Sequence, residues 1–583
     1  MEKIRQDNGG MGETPFSIGI WVGSANTPNS CQQAHAALNR MRNHRNAENP
    51  FLLRQCPWCG SEMGSKYIRG QIHILGYSST GNSVVFKCPD RRCPFHDNLP
   101  IHVIDEEIYK QRPSLIIGTV DKFAMLAWVP ESGSLFGLDR NGEREKKPPG
   151  LIIQDELHLI SGPLGTMVGL YETVIEELCS EKIGETVLKP KIICSTATIR
   201  RYKDQIKALF ARKNVFLFPP PGLDDSDSFF ARYAADENGK PLPGRRYLGV
   251  YAPGLSSLQT LQVRVFAALL MGVTKYEKNE ERDPWWTLMI FFNSLRELGG
   301  ALSLFQTDIP GMVKAVAARN GLPTWRRLDY ILELTSRMNN EEVPLALEEL
   351  AKKYRGNRSR AIDVCLASSI IEVGIDVDRL SLMSIVGQPK TVSQYIQVSG
   401  RIGRQWQERP GLVLTLFSST KPRDRSFFEK FQSTHSQLYA QVEPTSVTPF
   451  SPPVIDRALH ALFAIYLRLF GDTQAAENPQ CVNPELISSL KMIIKTRVKF
   501  IDSSEIDYVI TIFEKRLRQF NRWQRAWWYR QQQPGDSLLR RYETWVTEKI
   551  ERTSWATPTS MRNVDAECQM DITTLYNQQE EDN

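Results

Sequence analysis

Two adjacent carboxylates follow a short apolar run, and residues of this kind can hold a magnesium ion and orient a water molecule. Asp155 and Glu156 come directly after Leu151–Ile153, a run typical of a buried parallel strand. In open α/β sheets, ligands bind at the carboxyl ends of strands. One carboxylate there can hold Mg²⁺ on nucleotide phosphates, and its neighbour can polarise an attacking water. A solvated Asp-Glu turn is the alternative interpretation of the pair taken alone.

Arginines in a second segment could bind the same nucleotide phosphates. Arg401 and Arg404 are three residues apart in the segment QYIQVSGRIGR, so a helix would place both guanidinium groups on one face, toward one phosphate chain. For an isolated pair, a solvated helix face is the better interpretation. The ordered set of segments DELH, TAT, FFNS, SSIIEVGIDVD and QVSGRIGR is far more specific than any single member.

Four cysteines have the spacing of a zinc ribbon. Cys56 and Cys59 form a C-x₂-C pair, Cys88 and Cys93 form a C-x₄-C pair, and 28 residues separate the pairs. The segment between them predicts two strands around a glycine-containing turn. Four thiolates leave no open position, so we expect a structural Zn²⁺ site. His96 is a weaker alternative ligand, and four buried free thiols are the alternative without metal.

The sequence around these residues predicts an α/β fold. Short apolar runs alternate with amphipathic stretches, and the runs have the length and composition of buried parallel strands. Besides 151–153, they cover residues 16–23, 115–117, 192–194, 288–292, 364–367, 382–386 and 412–417. Loop-rich stretches between the blocks predict these parts: 1–217, an incomplete first lobe; 53–98, a zinc ribbon within it; 218–250, a linker; 251–435, a second lobe; 436–583, a mainly helical region.

Length and composition exclude several classes of protein. The chain has 583 residues, 41% apolar and 24% charged, which excludes a largely disordered chain and makes a single core improbable. Its 72 Lys and Arg against 66 Asp and Glu give a net charge of +6, which excludes a polybasic protein but not a local nucleic-acid track. No apolar run is long enough for a membrane helix, and the N-terminal residues lack a signal-peptide pattern. We therefore expect a cytoplasmic protein with reduced cysteines.

The ordered set of segments resembles superfamily 2 helicases of the DExH type over residues 16–420. The resemblance implies two RecA-like lobes, of which the first is incomplete here, with ATP and Mg²⁺ as cofactors. It implies these roles: catalytic, Asp155, Glu156, Arg401 and Arg404; nucleotide-binding, Gly374, Asp376 and Gln397; coupling, His158, Thr196, Ala197 and Thr198; nucleic-acid-binding, Thr119, Asp121, Lys122, Asn293, Ser294, Ser368 and Ser369. Thr196 stands where the family's coupling motif has serine.

A narrower resemblance is to the DrmA-type helicases of bacterial DISARM anti-phage systems. The segments QDELHLISGPLGTMVGLYE, FPPPGLDDSDSFFAR, VEPTSVTPFSPP and PTSMRNVDAE carry it, from about residue 100 to the C-terminus. The resemblance implies DNA translocation together with a DrmB-like companion protein. Because the matched motifs of such motors contact the nucleic-acid backbone, base-sequence specificity is not expected.

One motif that such a motor needs is not found. A phosphate-binding loop, G-x-x-x-x-G-K-[ST], should precede Asp155, but the only Gly-Lys pair is Gly239-Lys240, followed by proline. We therefore expect that the chain begins inside the first lobe, as a fragment, a split-gene product or a misassigned start, with the loop on a separate chain. We expect no useful ATP turnover by this polypeptide alone. The alternative is a non-catalytic nucleic-acid-binding or scaffolding subunit.

Aromatic and basic residues interleave near the C-terminus. Trp523 and Trp527 are four residues apart, the spacing of a buried helix stripe, and several arginines lie among them. Stacking on nucleic-acid bases is the alternative use of such tryptophans. We favour core packing for the tryptophans, with some of the arginines on a nucleic-acid path.

Overall fold

We describe a computed structural model of the chain. The structure describes all residues except 9, 11, 24–25, 46, 82, 197–200, 221–222, 224–228, 231, 243, 256, 339–341, 357–359, 369–375, 439–441, 444–445, 524–525, 528–536, 548–549, 551–552 and 563–583. The chain divides into two compact units. Unit 1 contains the described residues of 1–196, 201–215 and 445–583, and unit 2 contains those of 216–444.

The elements alternate as the sequence predicts. The strands are β1 Ile18–Trp21, β2 Gly64–Ile68, β3 Gln71–Leu75, β4 Tyr77–Thr80, β5 Ser83–Phe86, β6 Ile101–His102, β7 Leu115–Gly118, β8 Leu151–Gln154, β9 Glu181–Ile183, β10 Thr186–Leu188, β11 Lys191–Cys194, β12 Arg245–Tyr251, β13 Leu288–Phe292, β14 Ile331–Leu334, β15 Val364–Ala367, β16 Leu382–Val386, β17 Gly411–Phe417, β18 Leu539–Arg541 and β19 Trp555–Thr557. The α-helices are α1 Glu2–Asp7, α2 Cys31–Asn43, α3 Asp105–Gln111, α4 Gly162–Leu178, α5 Tyr202–Phe210, α6 Leu258–Gly272, α7 Asn279–Trp286, α8 Leu295–Gln306, α9 Asp308–Arg319, α10 Glu342–Ala351, α11 Val392–Ser399, α12 Pro422–Glu429, α13 Phe431–Ser436, α14 Pro452–Leu469, α15 Thr473–Glu477, α16 Pro484–Ile501 and α17 Ile506–Arg522.

Unit 2 is built on one parallel sheet of six strands, in the order β12-β17-β16-β13-β15-β14. The central strands β13, β15 and β16 are buried along their whole length, as expected for a parallel sheet covered on both faces. This confirms the predicted α/β class. Strand β12, Arg245–Tyr251, belongs to this sheet, although the sequence placed most of it in a linker. It escaped prediction because it is an edge strand with two arginines and a glycine.

The described part of unit 1 contains three groups of parallel strands, β6-β1-β7, β11-β8 and β18-β19. One face of β7, β8 and β11 packs on the core through Ile116, Ile152 and Ile192. The opposite face carries aliphatic side chains that are about half exposed: Leu115 50%, Ile117 54%, Leu151 49%, Ile153 61% and Ile193 46%. Within the described residues, β11 has β8 as its one strand neighbour. Parallel strands ordinarily have both faces covered, so this face is unusual.

The C-terminal helices share the core of unit 1. Helix α14 is apolar on nearly all sides and buried from Ala458 to Leu469, so it needs partners all around. It packs against α4, α16 and α17, and Trp527 and Trp555 close the same core. Trp527 is fully buried and Trp523 packs against this core, which confirms core packing for both tryptophans. The described part of the predicted region 436–583 therefore belongs largely to unit 1 rather than to a separate body.

The four cysteines lie in a small β module of unit 1. It contains two antiparallel hairpins, β2-β3 and β4-β5, where the sequence predicts one pair of strands. Tyr77, Phe86 and Phe51 form an edge-to-face aromatic cluster that joins the module to α2. Strand β2 escaped prediction because its residues, GSKYI, are mostly exposed and do not form an apolar run.

Among the described residues, none of the helices has the length and apolar character needed to cross a bilayer.

Candidate functional site

The carboxyl ends of β8 and β11 bring the first candidate residues together. The strands pair in parallel from Lys191↔Leu151 to Cys194↔Gln154, and the Ser195 N–H continues the ladder by donating to Gln154 O at 3.0 Å. Just beyond, the Ser195 hydroxyl donates a short hydrogen bond to Asp155 Oδ1. The Glu156 N–H donates to the same oxygen at 3.0 Å. Asp155 is thus an oriented, exposed acceptor, as a carboxylate that holds Mg²⁺ must be.

Glu156 has a left-handed backbone, with φ of 49°. Such a conformation is uncommon for glutamate and is retained where the surrounding structure determines it. His158 is buried, and its Nδ1 lies 3.4 Å from Glu156 Oε2 and 3.5 Å from Thr196 Oγ1. The structure therefore brings Asp155, Glu156, His158 and Thr196 into one cluster.

A buried glutamine holds this loop in place. Gln205 of α5 donates to Leu157 O at 3.0 Å and to Ile160 O at 2.9 Å. The Leu157 N–H in turn donates to Ser195 O at 2.8 Å. The loop after β8 is therefore tied to both β11 and α5, which fixes the direction of the carboxylates.

The second group of candidates lies in unit 2, around a cavity of about 460 Å³. Asp376 and Arg404 line it and form an ion pair. Arg245 of β12 and Trp406 also line it, together with Asp378 and the backbone of Gly244, Gly400 and Gly403. Arg245 donates to Gly400 O and Ile402 O, both at 3.0 Å, which fixes the loop that carries Arg404. The cavity combines two guanidinium groups, two carboxylates and an aromatic ring, a set that suits a charged, partly planar ligand.

The predicted helical face for Arg401 and Arg404 is wrong. Helix α11 ends at Ser399, with Gly400 as its C-cap, so both arginines lie beyond the helix. Gly403 has φ of 65°, and a Cβ there would lie 2.7 Å from Gly411 Cα. This left-handed, closely packed glycine ends any helical continuation. Gln397 is on α11, whose N-terminus Thr391 caps by accepting from Gln394 N at 3.1 Å.

Two of the predicted nucleic-acid residues in unit 1 are engaged within the chain. Asp121 accepts from the Ser560 hydroxyl at 2.7 Å and pairs with Arg562 at 2.9 Å. Lys122 is 5% exposed and pairs with Asp105 at 2.5 Å. Thr119 is exposed on the same turn. Of the three, Thr119 is the most exposed, since the side chain of Asp121 is 27% exposed and that of Lys122 is 5% exposed.

In unit 2, the predicted nucleic-acid residues follow β13 and β15. Asn293 donates to Val386 O at 3.0 Å and Gly387 O at 3.2 Å. Ser294 caps α8 by accepting from Glu297 N at 3.3 Å. The hydroxyl of Ser368 is buried and has no hydrogen-bond partner within the described part of the chain. Ala197, Thr198, Ser369 and Gly374 lie outside the described residues, so their predicted roles stay predictions.

The four predicted metal ligands do converge. The Sγ atoms of Cys56, Cys59, Cys88 and Cys93 lie within 4.8 Å of one another. A hydrogen bond from Ser61 lowers the pKa of Cys59 to about 6, whereas burial raises the pKa of Cys88 to about 12. Four thiol sulfurs at this separation fit a tetrahedral metal ion, which would favour the thiolate form of each. His96 instead makes a 2.8 Å hydrogen bond to Cys88 O, which positions the cysteine loop.

Sequence reasoning missed several residues that shape these sites: Ser195, Gln205, Arg245 and Trp406. Ser195 directly precedes the predicted coupling residues, so its place at a strand end was a usable signal. Arg245 and Gln205 lie far along the chain from the loops that they hold, and no local pattern marks them.

Comparison with known proteins gives the following matches. The helicase conserved C-terminal domain family matches residues 330–405. The DISARM protein DrmA of Bacillus paralicheniformis is 38% identical over 540 residues, which is 86% of this chain and 47% of that protein. The chain thus spans about half the length of this curated relative.

Solved structures similar to the chain include two helicases. The DUF1998 helicase MrfA bound to DNA has a TM-score of 0.44 and 15% identity, covering 82% of this chain and 52% of that one. The helicase Lhr of Mycobacterium smegmatis, bound to single-stranded DNA and AMP-PNP, has a TM-score of 0.41 and 17% identity, covering 66% and 40%.

Proposed function

We propose that this chain is a subunit or part of a DExH-type, ATP-dependent DNA translocase or helicase of superfamily 2 in anti-phage defence. Its similarity to the DISARM protein DrmA and its match to the helicase conserved C-terminal domain support the proposal. The carboxylate pair carries the proposal. Asp155 and Glu156 stand at adjoining strand ends, with Asp155 oriented by Ser195 and by a backbone N–H. A solvated turn would not need this network.

Each residue of the cluster has a chemical task in this proposal. Mg²⁺–ATP, when bound, supplies the phosphoanhydride that is hydrolysed. Asp155 would hold the metal ion, and Glu156 would orient and polarise the attacking water. His158, placed between Glu156 and Thr196, would couple the carboxylate to the segment of Thr196, Ala197 and Thr198.

The residues of unit 2 would bind the nucleotide and the sugar-phosphate backbone of the nucleic acid. Arg404, and with it Arg401, would neutralise charge on the transferred phosphate, since guanidinium groups suit phosphate oxygens. Asp376, Gln397 and Gly374 would contact the nucleotide. The residues that contact nucleic acid would be Thr119, Asn293, Ser294, Ser368 and Ser369. Asp121 and Lys122 would stabilise the turn of Thr119 through their contacts within the chain.

A non-catalytic nucleic-acid-binding or scaffolding subunit is the second candidate. The 583 residues contain no G-x-x-x-x-G-K-[ST] loop. In addition, the half-exposed aliphatic face of β7, β8 and β11 is a surface that another polypeptide would cover. We therefore propose that the phosphate-binding loop is supplied by a separate polypeptide segment, without which this chain binds DNA but does not turn over ATP.

Four further assignments belong to this proposal. A structural Zn²⁺ would be held by Cys56, Cys59, Cys88 and Cys93. A DrmB-like protein would be the companion of the complete system, and the location would be the cytoplasm. We also propose the division of the chain into the parts 1–217, 53–98, 218–250, 251–435 and 436–583, with β12 added to the second lobe.

Direct DNA binding tests the part of the proposal that both candidates share. We expect the purified chain to bind a fluorescent single strand of about 25 nucleotides with little dependence on base sequence, and with an affinity that falls steeply as salt is raised. Fluorescence anisotropy at several salt concentrations measures both properties. No saturable binding at about 50 mM salt would contradict the proposal.

A further inference from the structure

We propose that the β2-β3 hairpin and the C-terminal end of α2 form a contact surface for single-stranded nucleic acid, which we call the basic arm. The inference rests on the proposed function, because it names the surface of unit 1 that a bound strand would touch. The basic arm consists of Arg40, Arg42, Arg45 and residues 64–75. It is separate from every residue to which the helicase resemblance gives a role.

The segment around the basic arm has an excess of positive charge. Residues 40–98 contain nine Lys and Arg against four Asp and Glu, a net charge of +5, whereas the whole chain carries +6. The remaining residues are therefore almost neutral in sum. A basic region in a nearly neutral protein has the electrostatic footprint of a local phosphate-binding track. Residues 511–541, with eight Lys and Arg against two Asp and Glu, are a second basic region, so the charge supports the proposal only together with the geometry of the arm.

The hairpin projects its side chains into solvent. Every residue of β2 after Gly64 is exposed, including Lys66, Tyr67 at 51% and Ile68 at 41%. Ile68 pairs with Gln71 across a two-residue turn in which Arg69 has φ of 50° and Gly70 has φ of 84°. Such turns favour Asn or Gly at both positions. An arginine at this strained tip is difficult to explain by folding, so we infer that its exposed charge is used in binding.

Cation and aromatic ring are already stacked on the arm. The guanidinium carbon of Arg45 lies 4.5 Å from the centroid of the half-exposed Tyr67 ring. This contact holds a flat cation and a flat ring together at the surface. Unpaired bases stack on tyrosine rings and guanidinium planes, while the positive charge attracts phosphates.

The arm is held by a rigid base. Ala34, Leu38 and Met41 of α2 pack into the module's core with Phe51 and Tyr77. Lys66 pairs with Glu62 at 2.5 Å, and Arg92 pairs with Asp90 at 3.4 Å. These two cations are partly neutralised, so the proposal rests on Arg45, Arg69 and Tyr67.

A single strand fits this surface better than other ligands do. A protein partner would bury a central apolar patch, whereas the arm alternates cations with single aromatic or aliphatic residues. Duplex DNA stacks its bases internally and offers them no access to Tyr67. A single strand presents both phosphates and unstacked bases, which are the two chemical groups that the arm can bind.

The test compares charge-matched variants of the full chain. In R45A/R69A, we expect the affinity for fluorescent dT₂₅ at about 50 mM salt to fall at least about tenfold. The slope of the logarithm of the binding constant against the logarithm of the salt concentration should become shallower by about 0.7 for each lost phosphate contact. The double variant K182A/K213A removes two exposed cations of unit 1 outside the arm, and should bind within about twofold of the wild type. Y67A, which keeps the charge, should weaken binding about five- to tenfold.

Each outcome supports or overturns a stated part of the proposal. Equal affinity of R45A/R69A and K182A/K213A, with the wild type still binding, would overturn the basic arm and leave the proposed function intact. No binding by the wild type would overturn both. If Y67A weakened binding to a duplex of the same length as much as to dT₂₅, the assignment to single strands would be wrong. Circular dichroism of each variant confirms that the loss does not arise from unfolding.

Discussion

Asp155 and Glu156 are adjacent in the chain but are held in different ways. Asp155 is fixed by hydrogen bonds from Ser195 and from the Glu156 N–H, both to Oδ1. Glu156 is set by its left-handed backbone and lies within 3.4 Å of His158. The two carboxylates are therefore oriented by different contacts, as the proposed division of metal binding and water activation between them requires.

Removal of one cysteine should abolish metal binding by the β module. We predict one equivalent of zinc per chain in the wild type, and less than about a tenth of that in Cys56→Ser or Cys88→Ser, because both ligands are buried and their loss leaves an incomplete tetrahedral set. Elemental analysis of the purified protein measures the content. Cys481→Ser, at an exposed cysteine elsewhere in unit 1, is the matched control and should keep the full equivalent. Zinc retained in the first two variants would contradict the site.

For individual residues, the sequence predicted which side chains form the metal site, but it did not predict which side chains pair with each other. The spacing of the four cysteines predicted their convergence, because metal ligation leaves a local signature. Lys122 was predicted to contact nucleic acid, yet its nearest anion is Asp105, seventeen residues earlier. Nothing in either local sequence indicates that pairing, since it depends on how α3 packs in the folded unit.

Among the elements, α4 carries the main buried charge of unit 1. Glu176 pairs with Lys189 at 2.5 Å and Arg212 at 3.1 Å, and Arg497 of α16 lies 3.8 Å away. Glu172, one turn earlier, makes no comparable ion pair in the described residues, and burial raises its pKa to about 7. The helix thus contains one well-paired carboxylate and one that favours its neutral form.

The pH dependence of stability should reveal Glu172. A folded pKa above the unfolded value of about 4.5 means that ionisation destabilises the fold: the contribution of Glu172 is most favourable below about pH 4.5 and is lost as the pH rises through about 7. The full effect is on the order of 3 kcal/mol. We predict that Glu172→Gln raises the melting temperature relative to the wild type more at pH 8.5 than at pH 5.5.

Glu176→Gln is the matched control for this prediction. It breaks ion pairs in the same helix, so it should lower the melting temperature at both pH values. An equal response of the two variants at pH 8.5 would show that Glu172 is not a destabilising carboxylate. Differential scanning fluorimetry at the two pH values measures both variants.

The strands were the most predictable elements. The predicted runs of unit 2 coincide with β13, β15 and β16 residue for residue, because strands buried on both faces are continuous apolar runs. The sequence predicted a helix through Arg401 and Arg404, but helix α11 ends at Ser399. Its end depends on Gly403, whose backbone packs against Gly411 on a neighbouring segment.

On the scale of the whole molecule, unit 1 presents a sheet face whose aliphatic side chains are about half exposed. Alternate residues of β7 and β8 have opposite environments: Ile116 and Ile152 pack on the core, whereas Ile117 and Ile153 are more than half exposed. The sequence predicted strands buried on both faces, and the exposed face of these strands departs from that prediction.

Substitution of neighbouring isoleucines should have different effects on the melting temperature, depending on which face of the sheet they occupy. We predict that I117T/I153T lowers binding of an apolar dye such as ANS and leaves the melting temperature within about 1 °C of the wild type, because these side chains lie in water. In contrast, I116T/I152T should lower the melting temperature by several degrees, because it places hydroxyl groups against the core. Dye fluorescence and scanning fluorimetry distinguish the two. Equal destabilisation would mean that both faces are covered in this chain.

ATP turnover by the purified 583-residue chain tests the central claim most directly. With saturating single-stranded DNA and Mg²⁺–ATP, we predict that phosphate release by the wild type does not exceed that of Glu156→Gln, because the backbone cradle and lysine of a phosphate-binding loop are missing from this sequence. A single group of this kind is worth about 10²–10³ in rate. DNA-stimulated hydrolysis that Glu156→Gln abolishes would contradict the claim, and would show that this chain is a complete motor.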